Sequence, residues 1–319
     1  MLLILSDKFD KHADVVEDKL TRLGKIFFRL NLDKYSLQST LISYDDYQWK
    51  ISSEMGDISL SLVRKVWLRR AFVELSLEDE DIQNTDTDFR IWRAEWNKTL
   101  AGMYLDLTNA IWFNPIREAF RAENKYFQMQ IAKSIGLKMP DIIVSNRKSE
   151  LINFAEKHGE VALKLMSQDM YIDGDKNIKG IFVNKLTPRD FLEFGTYSEN
   201  PIVLQKYIQK LYEIRYTVVG STHHVCKIDS QSSTKTDVDW RRYDIPKTPH
   251  TAVDPPKEIR LKVNELMSIM GLEFGALDFI VTKNNDWYFL EINSIGQWLW
   301  IEDLTGLPIS DSIVEWFDD

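Results

Sequence analysis

Residues 275–293, GALDFIVTKNNDWYFLEIN, constrain this chain more than any other segment. Two strand-like runs flank Asn284-Asn285, and asparagine tolerates positive φ, so a tight β-hairpin is expected. With those two residues as the loop, Lys283 faces Asp286, and counting outward sets Asp278 directly opposite Glu291. A four-residue loop closed by Thr282 and Trp287 keeps the same register. Alternation then puts Leu277, Phe279, Val281, Tyr288, Leu290 and Ile292 on a core face, with Asp278, Glu291 and Asn293 on the other. Two directly opposed carboxylates repel each other. A shared proton, a nearby Lys or Arg, or a divalent cation must offset that repulsion. The all-oxygen set of Asp, Glu and Asn suits magnesium, which completes its octahedron with water and phosphate oxygens. For a lone Asp–Glu pair a solvated acidic face is the commoner arrangement. Here Asn293 and the basic residues described below favour the cation.

Upstream, the pattern is that of an α/β (α+β) protein. A buried strand at 2–5, an amphipathic helix over 12–23 stopped by Gly24, and a strand at 26–30 form a strand–helix–strand opening. Strands are expected at 47–52 and 58–68, a helix over 89–107 and a strand at Ile111–Phe113. Asn114-Pro115 reads as a domain boundary. A helix over 119–135, strands at 142–145, 161–166 and 181–184, and helices over 150–158 and 188–194 follow. Further strands at 202–208, 214–219 and 224–228 lead to a polar loop at 229–254 and the helix Lys257–Met270, introduced by Pro255-Pro256 and ended by Gly271. The expected division is residues 1–115 as an N-terminal domain, 116–200 as a central domain, and 201–319 as a C-terminal domain carrying the hairpin.

A formal net charge of -9 argues against broad nucleic-acid binding. One cysteine, Cys226, excludes an internal disulfide and a cysteine zinc cluster, and a reducing compartment is its natural setting. No stretch approaches the ~20 apolar residues that span a bilayer, and residues 1–6 lack a signal-peptide pattern. A cytoplasmic protein without membrane partners is therefore expected. His223-His224 invites a metal reading, but adjacent strand residues point to opposite faces.

The Asp278, then Glu291-x-Asn293 pattern resembles the magnesium site of the ATP-grasp superfamily. That resemblance implies an ATP-grasp fold clamping ATP between its central and C-terminal domains. It implies phosphate contacts from Lys125 and Lys164, adenine contacts along the hinge Gln205, Lys206, Tyr207 and Ile208, and a ribose contact from Glu213. Taken alone, Lys125 could be a solvated helix residue; Lys164 interrupts a buried-looking strand, where an unpaired lysine is costly. More narrowly, VWLRR at 66–70, the hinge with YEIRYTVVG, DWRRYD at 239–244 and EINSIGQWLWIEDLTGLPI at 291–309 resemble the graspetide synthetases, the microviridin-type peptide maturases.

Membership would imply a ligase that forms side-chain ester or amide crosslinks in a ribosomal precursor peptide, as a homo-oligomer, commonly a dimer. Arg215 and Arg241 are the candidates for gripping the transferring phosphoryl group and the substrate carboxylate, because a planar guanidinium can hold either with two hydrogen bonds. Arg69, Arg70, Asp239, Trp240 and Arg242 are candidate substrate-peptide contacts. Asp190 and Glu193 lie where related enzymes hold the leader. One departure stands out: residues 167–180 contain only two glycines, whereas many ATP-grasp enzymes close a glycine-rich loop over the phosphates. Alternative readings are an ATP-grasp ligase that adds an amino acid or amine to a peptide or small-molecule carboxylate, and a nucleotide-dependent peptide-binding module. The second need not keep the Asp–Glu–Asn set.

Overall fold

The computed structural model describes residues 1–75, 85–164, 166, 170–172, 178–180, 183–193, 200–232 and 248–318. The chain opens on β1 (Leu2–Ser6), buried along its whole length, as befits a strand covered on both faces. Helix Lys11–Arg22 leads from it to β2 (Phe27–Asn31). β3 (Leu41–Asp45), β4 (Gln48–Ser53) and β5 (Gly56–Ser59) form a small antiparallel sheet. The single strand expected at 58–68 is instead β5, a 3-10 turn at Leu60–Leu62 and β6 (Lys65–Leu68). Strand β3 was not anticipated; its residues are mostly exposed, so no apolar alternation marks it. After helix Thr87–Asp106, β7 (Ile111–Phe113) completes a parallel sheet ordered β2-β1-β6-β7.

Asn114 is a buried joint between the N-terminal sheet and the rest of the molecule. Its Nδ2 donates to Phe274 O (2.7 Å) and Ser294 O (2.8 Å), and its Oδ1 accepts from the amides of Glu273 and Phe274. The single helix expected over 119–135 is two, Ile116–Ala122 and Lys125–Ser134. The break has a local cause: the Asn124 side chain accepts from the amides of Tyr126 and Phe127 and so starts a new helix. Both helices contribute to the core beneath the C-terminal sheet, through Ala122, Phe127, Ile131 and Ala132. Packing therefore joins this part of the 116–200 segment to the third unit.

The central sheet has β8 (Ile142–Ser145), β9 (Val161–Lys164), β12 (Asn184–Leu186) and β13 (Ile202–Lys206) in the order β12-β9-β13-β8. β10 (Met170–Ile172) and β11 (Ile178–Gly180) pair separately. Helix Lys148–His158 covers the sheet through Leu151 and Ala155. The C-terminal sheet is antiparallel, with β14 (Tyr212–Val219), β15 (Thr222–Ile228), β16 (His250–Ala252), β17 (Phe274–Val281) and β18 (Trp287–Asn293) ordered β16-β15-β14-β17-β18. One face rests on helix Lys257–Met270. The other shares a core with Trp298, helix Ile309–Asp318 and the N-terminal residues Leu2, Ile4 and Val16. No described helix is long and apolar enough to cross a membrane.

The hairpin pairs Asp278 with Glu291, as expected, but by a different route. Its turn spans residues 283–285, with Asn285 alone at positive φ (60°) and the Asn285 amide donating to Thr282 O. That loop pairs Val281 with Trp287, one residue off the expected register. A β-bulge beside Asp278 then leaves Leu290 without a partner and restores the count at Glu291. The two irregularities cancel at the acidic pair and not between it and the turn. Trp287 and Phe289 are therefore the buried residues, and the expected core positions Tyr288 and Leu290 are not.

Candidate active site

Sheet pairing aligns the charged residues in one row. Arg215 on β14 sits opposite Asp278 on β17, which sits opposite Glu291 on β18. Arg215 Nη1 meets both oxygens of Asp278, at 3.0 and 3.1 Å, and its Nη2 donates to Gln297 O at 2.8 Å. Lys125, the first residue of the helix that Asn124 restarts, reaches Glu291 Oε2 at 3.0 Å. The row reads Arg215, Asp278, Glu291, Lys125. The two acids are thus offset by a cation each.

That placement is enforced from behind. Gln128, 2% exposed, donates Nε2 to Ala122 O and Ile292 O (both 2.7 Å) and accepts from Ile292 N (3.0 Å). Glu123 accepts from the amide (2.8 Å) and hydroxyl (2.6 Å) of Ser294. The kink between the two helices is therefore pinned to the end of β18, and Lys125 with it. Neither Gln128 nor Glu123 was anticipated; a polar residue inside an amphipathic helix pattern was the available signal.

On one side of the row lies a narrow cleft lined by Lys164, Gln205, Lys206, Tyr207, Ile208, Glu213, Ile280 and Leu290, together with Asp278 and Glu291. The cleft thus brings together Lys164, the hinge and Glu213; Lys125 is not among its lining residues and touches its wall through Glu291. Glu213 is paired with Lys210 at 2.7 Å. Leu290 was misassigned to the core; the bulge turns it into the cleft. On the other side is a cavity of about 640 Å³, bounded by Arg70, Phe72, Arg93, Glu123, Arg215, Asn293 and Trp300, and again by Asp278 and Glu291. The acidic pair is the partition between the two spaces.

The donor set fits a hard cation. Asp278, Glu291 and Asn293 offer only oxygen ligands, with Asn293 donating its Nδ2 to Ala276 O (3.4 Å) and keeping Oδ1 as an acceptor. Among the described residues no group of three His, Cys, Asp or Glu side chains is arranged for a metal. The remaining ligands of a magnesium ion would therefore come from water and phosphate. Arg215 Nε is buried without a hydrogen-bond partner among the described residues.

Arg69 does not line the cavity. It is 5% exposed and bound to Asp10 through Nε (2.9 Å) and Nη2 (3.3 Å), with Nη1 donating to Ile295 O (3.3 Å). The expected substrate contact is thus corrected to a buried support. Burial alone would raise the Asp10 carboxyl, but Arg69 and the Ser6 hydroxyl hold it well below the ordinary carboxylate range. Burial, then Arg69, pushes the neighbouring His12 imidazole down to about 4. Arg70 does line the cavity, between Asp7 (3.0 Å) and Glu74 (3.2 Å). Asp190 accepts from the amide and hydroxyl of Thr187 and so closes the start of helix Asp190–Glu193. Asp239, Trp240, Arg241 and Arg242 lie outside the described residues, as does the side chain of Glu193 and most of the glycine-poor 167–180 segment. His223 and His224 bond to Tyr216 and Ser312 respectively, not to one shared site.

The model of the MvdD pre-ATP grasp domain matches residues 1–119. Among solved structures, a RiPP-associated ATP-grasp ligase from Chryseobacterium gregarium, in complex with ADP and a leader and core peptide, superposes with a TM-score of 0.87 at 29% identity, over 98% of this chain and 95% of that one. Macrocyclase MdnC from Microcystis aeruginosa MRC, bound with precursor peptide MdnA, gives 0.82 at 26% identity, over 99% and 98%. Macrocyclase MdnB from the same organism gives 0.75 at 24% identity, over 98% and 97%, and adds the fold alone. No curated protein is significantly similar in sequence. Fold and site together define an ATP-grasp ligase. Within that class the chain is similar to the graspetide-type synthetases, in line with the resemblance of its four motifs.

Proposed function

We propose that this enzyme uses ATP and magnesium to activate side-chain carboxylates of a ribosomal precursor peptide, and then closes ester or amide crosslinks within that peptide. The observation that carries the reading is the shared wall. Asp278 and Glu291 border both the narrow cleft and the 640 Å³ cavity, so a nucleotide's terminal phosphate and a peptide carboxylate can meet across them.

The hinge 205–208, Ile280 and Leu290 hold the adenine, Glu213 faces the ribose, and Lys164 and Lys125 take phosphate oxygens. Magnesium, when held by Asp278, Glu291 and Asn293, supplies charge neutralisation at the triphosphate. A substrate carboxylate oxygen attacks the γ-phosphorus, and ADP leaves. A Ser or Thr hydroxyl, or a Lys amine, of the same peptide then attacks the acyl carbon, loses its proton and expels phosphate. Arg215, with Arg241 proposed as its partner, orients the carboxylate and stabilises charge on the phosphoryl oxygens. Such chemistry is mostly positioning and electrostatics. Arg70 is proposed as a core-peptide contact, helix Asp190–Glu193 as a leader contact, and the cytoplasm as the site of action. A homodimer is proposed as the working form, and light scattering of the purified chain tests it.

The test incubates the enzyme and MgATP with a precursor peptide carrying a leader and repeated Thr/Ser and Glu/Asp. Loss of one water per crosslink, with one ADP formed for each, is expected. A gain in mass would point instead to ligation of an amino acid or amine, and no peptide-dependent ADP would overturn the reading.

A further inference from the structure

The segment 294–298, between β18 and helix Leu299–Thr305, passes directly behind Arg215. It is fastened at three points on either side of Gly296. Ser294 is held by Glu123 and by Ala119 O. Ile295 O receives Arg69 from the N-terminal sheet. Trp298 is wholly buried, with its ring edge-on to His12 at 5.0 Å. Gly296 lies between these anchors, where space is short. A Cβ at that position would stand 2.5 Å from Ala276 Cβ, 3.1 Å from Arg215 Nη2 and 3.2 Å from Asn293 Cβ. Its φ is outside the left-handed region, so room, not conformation, calls for glycine.

We propose that Gly296 is a positioning residue for Arg215, and that the anchored 294–298 segment is the template that fixes the guanidinium. The proposal rests on the role given to Arg215 above. The bare Cα lets the backbone approach until Gln297 O accepts from Nη2, while Asp278 holds Nη1. With two nitrogens tied to partners on different elements, the guanidinium plane is set. A side chain at 296 has two escapes. The segment withdraws and the Gln297 bond is lost, or Arg215 is pushed out of the row. Because the anchors lie on Glu123, Arg69 and Trp298, the segment resists withdrawal and Arg215 moves. The buried Asp10–Arg69 pair thereby acquires a purpose: it carries the position of the N-terminal sheet to the reacting arginine through Ile295 O.

The test uses Gly296→Ala and the double variant Gly296→Ala/Ala276→Gly in the full chain. It reads kcat and KM for the peptide, nucleotide affinity and melting temperature. A displacement of about 1 Å at a reacting group costs about 100-fold. Gly296→Ala is therefore expected to lose about that factor in kcat, with nucleotide affinity unchanged and a lowered melting temperature. Ala276→Gly removes the nearest obstacle, so the double variant regains melting temperature while kcat stays low. Unchanged kcat in Gly296→Ala, or kcat and melting temperature recovering together in the double variant, would overturn the proposal. Should the parent enzyme show no peptide-dependent turnover, the function falls separately. A crystal structure of Gly296→Ala still decides the positioning claim: an Arg215 that keeps both Asp278 and Gln297 refutes it.

Discussion

Replacing Arg69 by methionine isolates one buried charge and gives a stability change that can be worked out beforehand. The Arg69 and Asp10 side chains are 6% and 4% exposed, so water does not screen them. Removing one partner of such a pair costs ~3–5 kcal/mol, because the other charge stays buried. Asp10 would keep hydrogen bonds from the Ser6 hydroxyl (2.9 Å) and the His12 amide (3.0 Å), which favours the lower end, about 3 kcal/mol. The sign with pH follows from both neighbours. In the parent, the depressed Asp10 contributes stability above the ordinary carboxylate range, lost only as pH falls through its low folded value. Without Arg69, burial raises that carboxyl, so the penalty grows towards neutral pH and fades on acidification. His12, pushed down to about 4 in the parent, costs the folded state stability below the ordinary imidazole value; losing Arg69 relaxes that cost. Both effects shrink the deficit of the variant as pH falls from 7 towards 5. Urea unfolding followed by tryptophan fluorescence at the two pH values measures it. Adding Asp10→Asn should recover most of the loss, since the amide still caps helix Lys11–Arg22. A deficit under ~1 kcal/mol, or one that does not shrink at pH 5, would refute the reasoning.

Other expectations follow from the site. Arg215→Ala should lower peptide-dependent ADP release by at least ~10²-fold, with circular dichroism unchanged; full turnover would remove the arginine from the mechanism. Leu290→Ala should weaken ATP binding about tenfold in calorimetry, whereas the same change at a residue of the buried face, Phe289, should destabilise the fold instead. Gln128→Ala orphans Ile292 N–H and two carbonyls, so roughly 3 kcal/mol of stability should be lost, and kcat should fall with it as Lys125 loosens. A stable Gln128→Ala with normal turnover would contradict the pinning of the helix kink to β18.

Residues whose roles are local were legible before the fold was known. Helix Lys257–Met270 falls on its expected boundaries because Pro255-Pro256 and Gly271 punctuate it in sequence. The pairing of Asp278 with Glu291 came from counting, and the count survived because a longer turn and a bulge offset each other. The same compensation hid Leu290: no propensity in WYFLEIN marks which residue bulges, and a one-residue slip exchanges the two faces. Arg69 and Arg70 looked equivalent as neighbours at a strand end. Only the tertiary position of Asp10, brought up by the helix after β1, separates a buried support from a cavity residue. Gly296 carried no signal of its own, since its constraint comes from Ala276 and Arg215, far away in sequence.

The restart of a helix at Asn124 shows why these compensations matter to function. A continuous helix through 119–135 would leave Glu123 and Lys125 as ordinary points on one spiral. The break makes Lys125 the first residue of its own helix, beside Glu291, while Glu123 turns back to hold Ser294 just past the end of the same strand. A carboxylate pair that sheet geometry alone would drive apart is held by Arg215 from β14 on one flank and by Lys125 from this helix on the other. Arg215 borders the cavity, and both acids border the cavity and the cleft. The acids therefore need not be created for a cation at the moment of binding. In the mechanism proposed above they stand ready, each neutralised by a side chain that would exchange its carboxylate for phosphate as the metal takes its place.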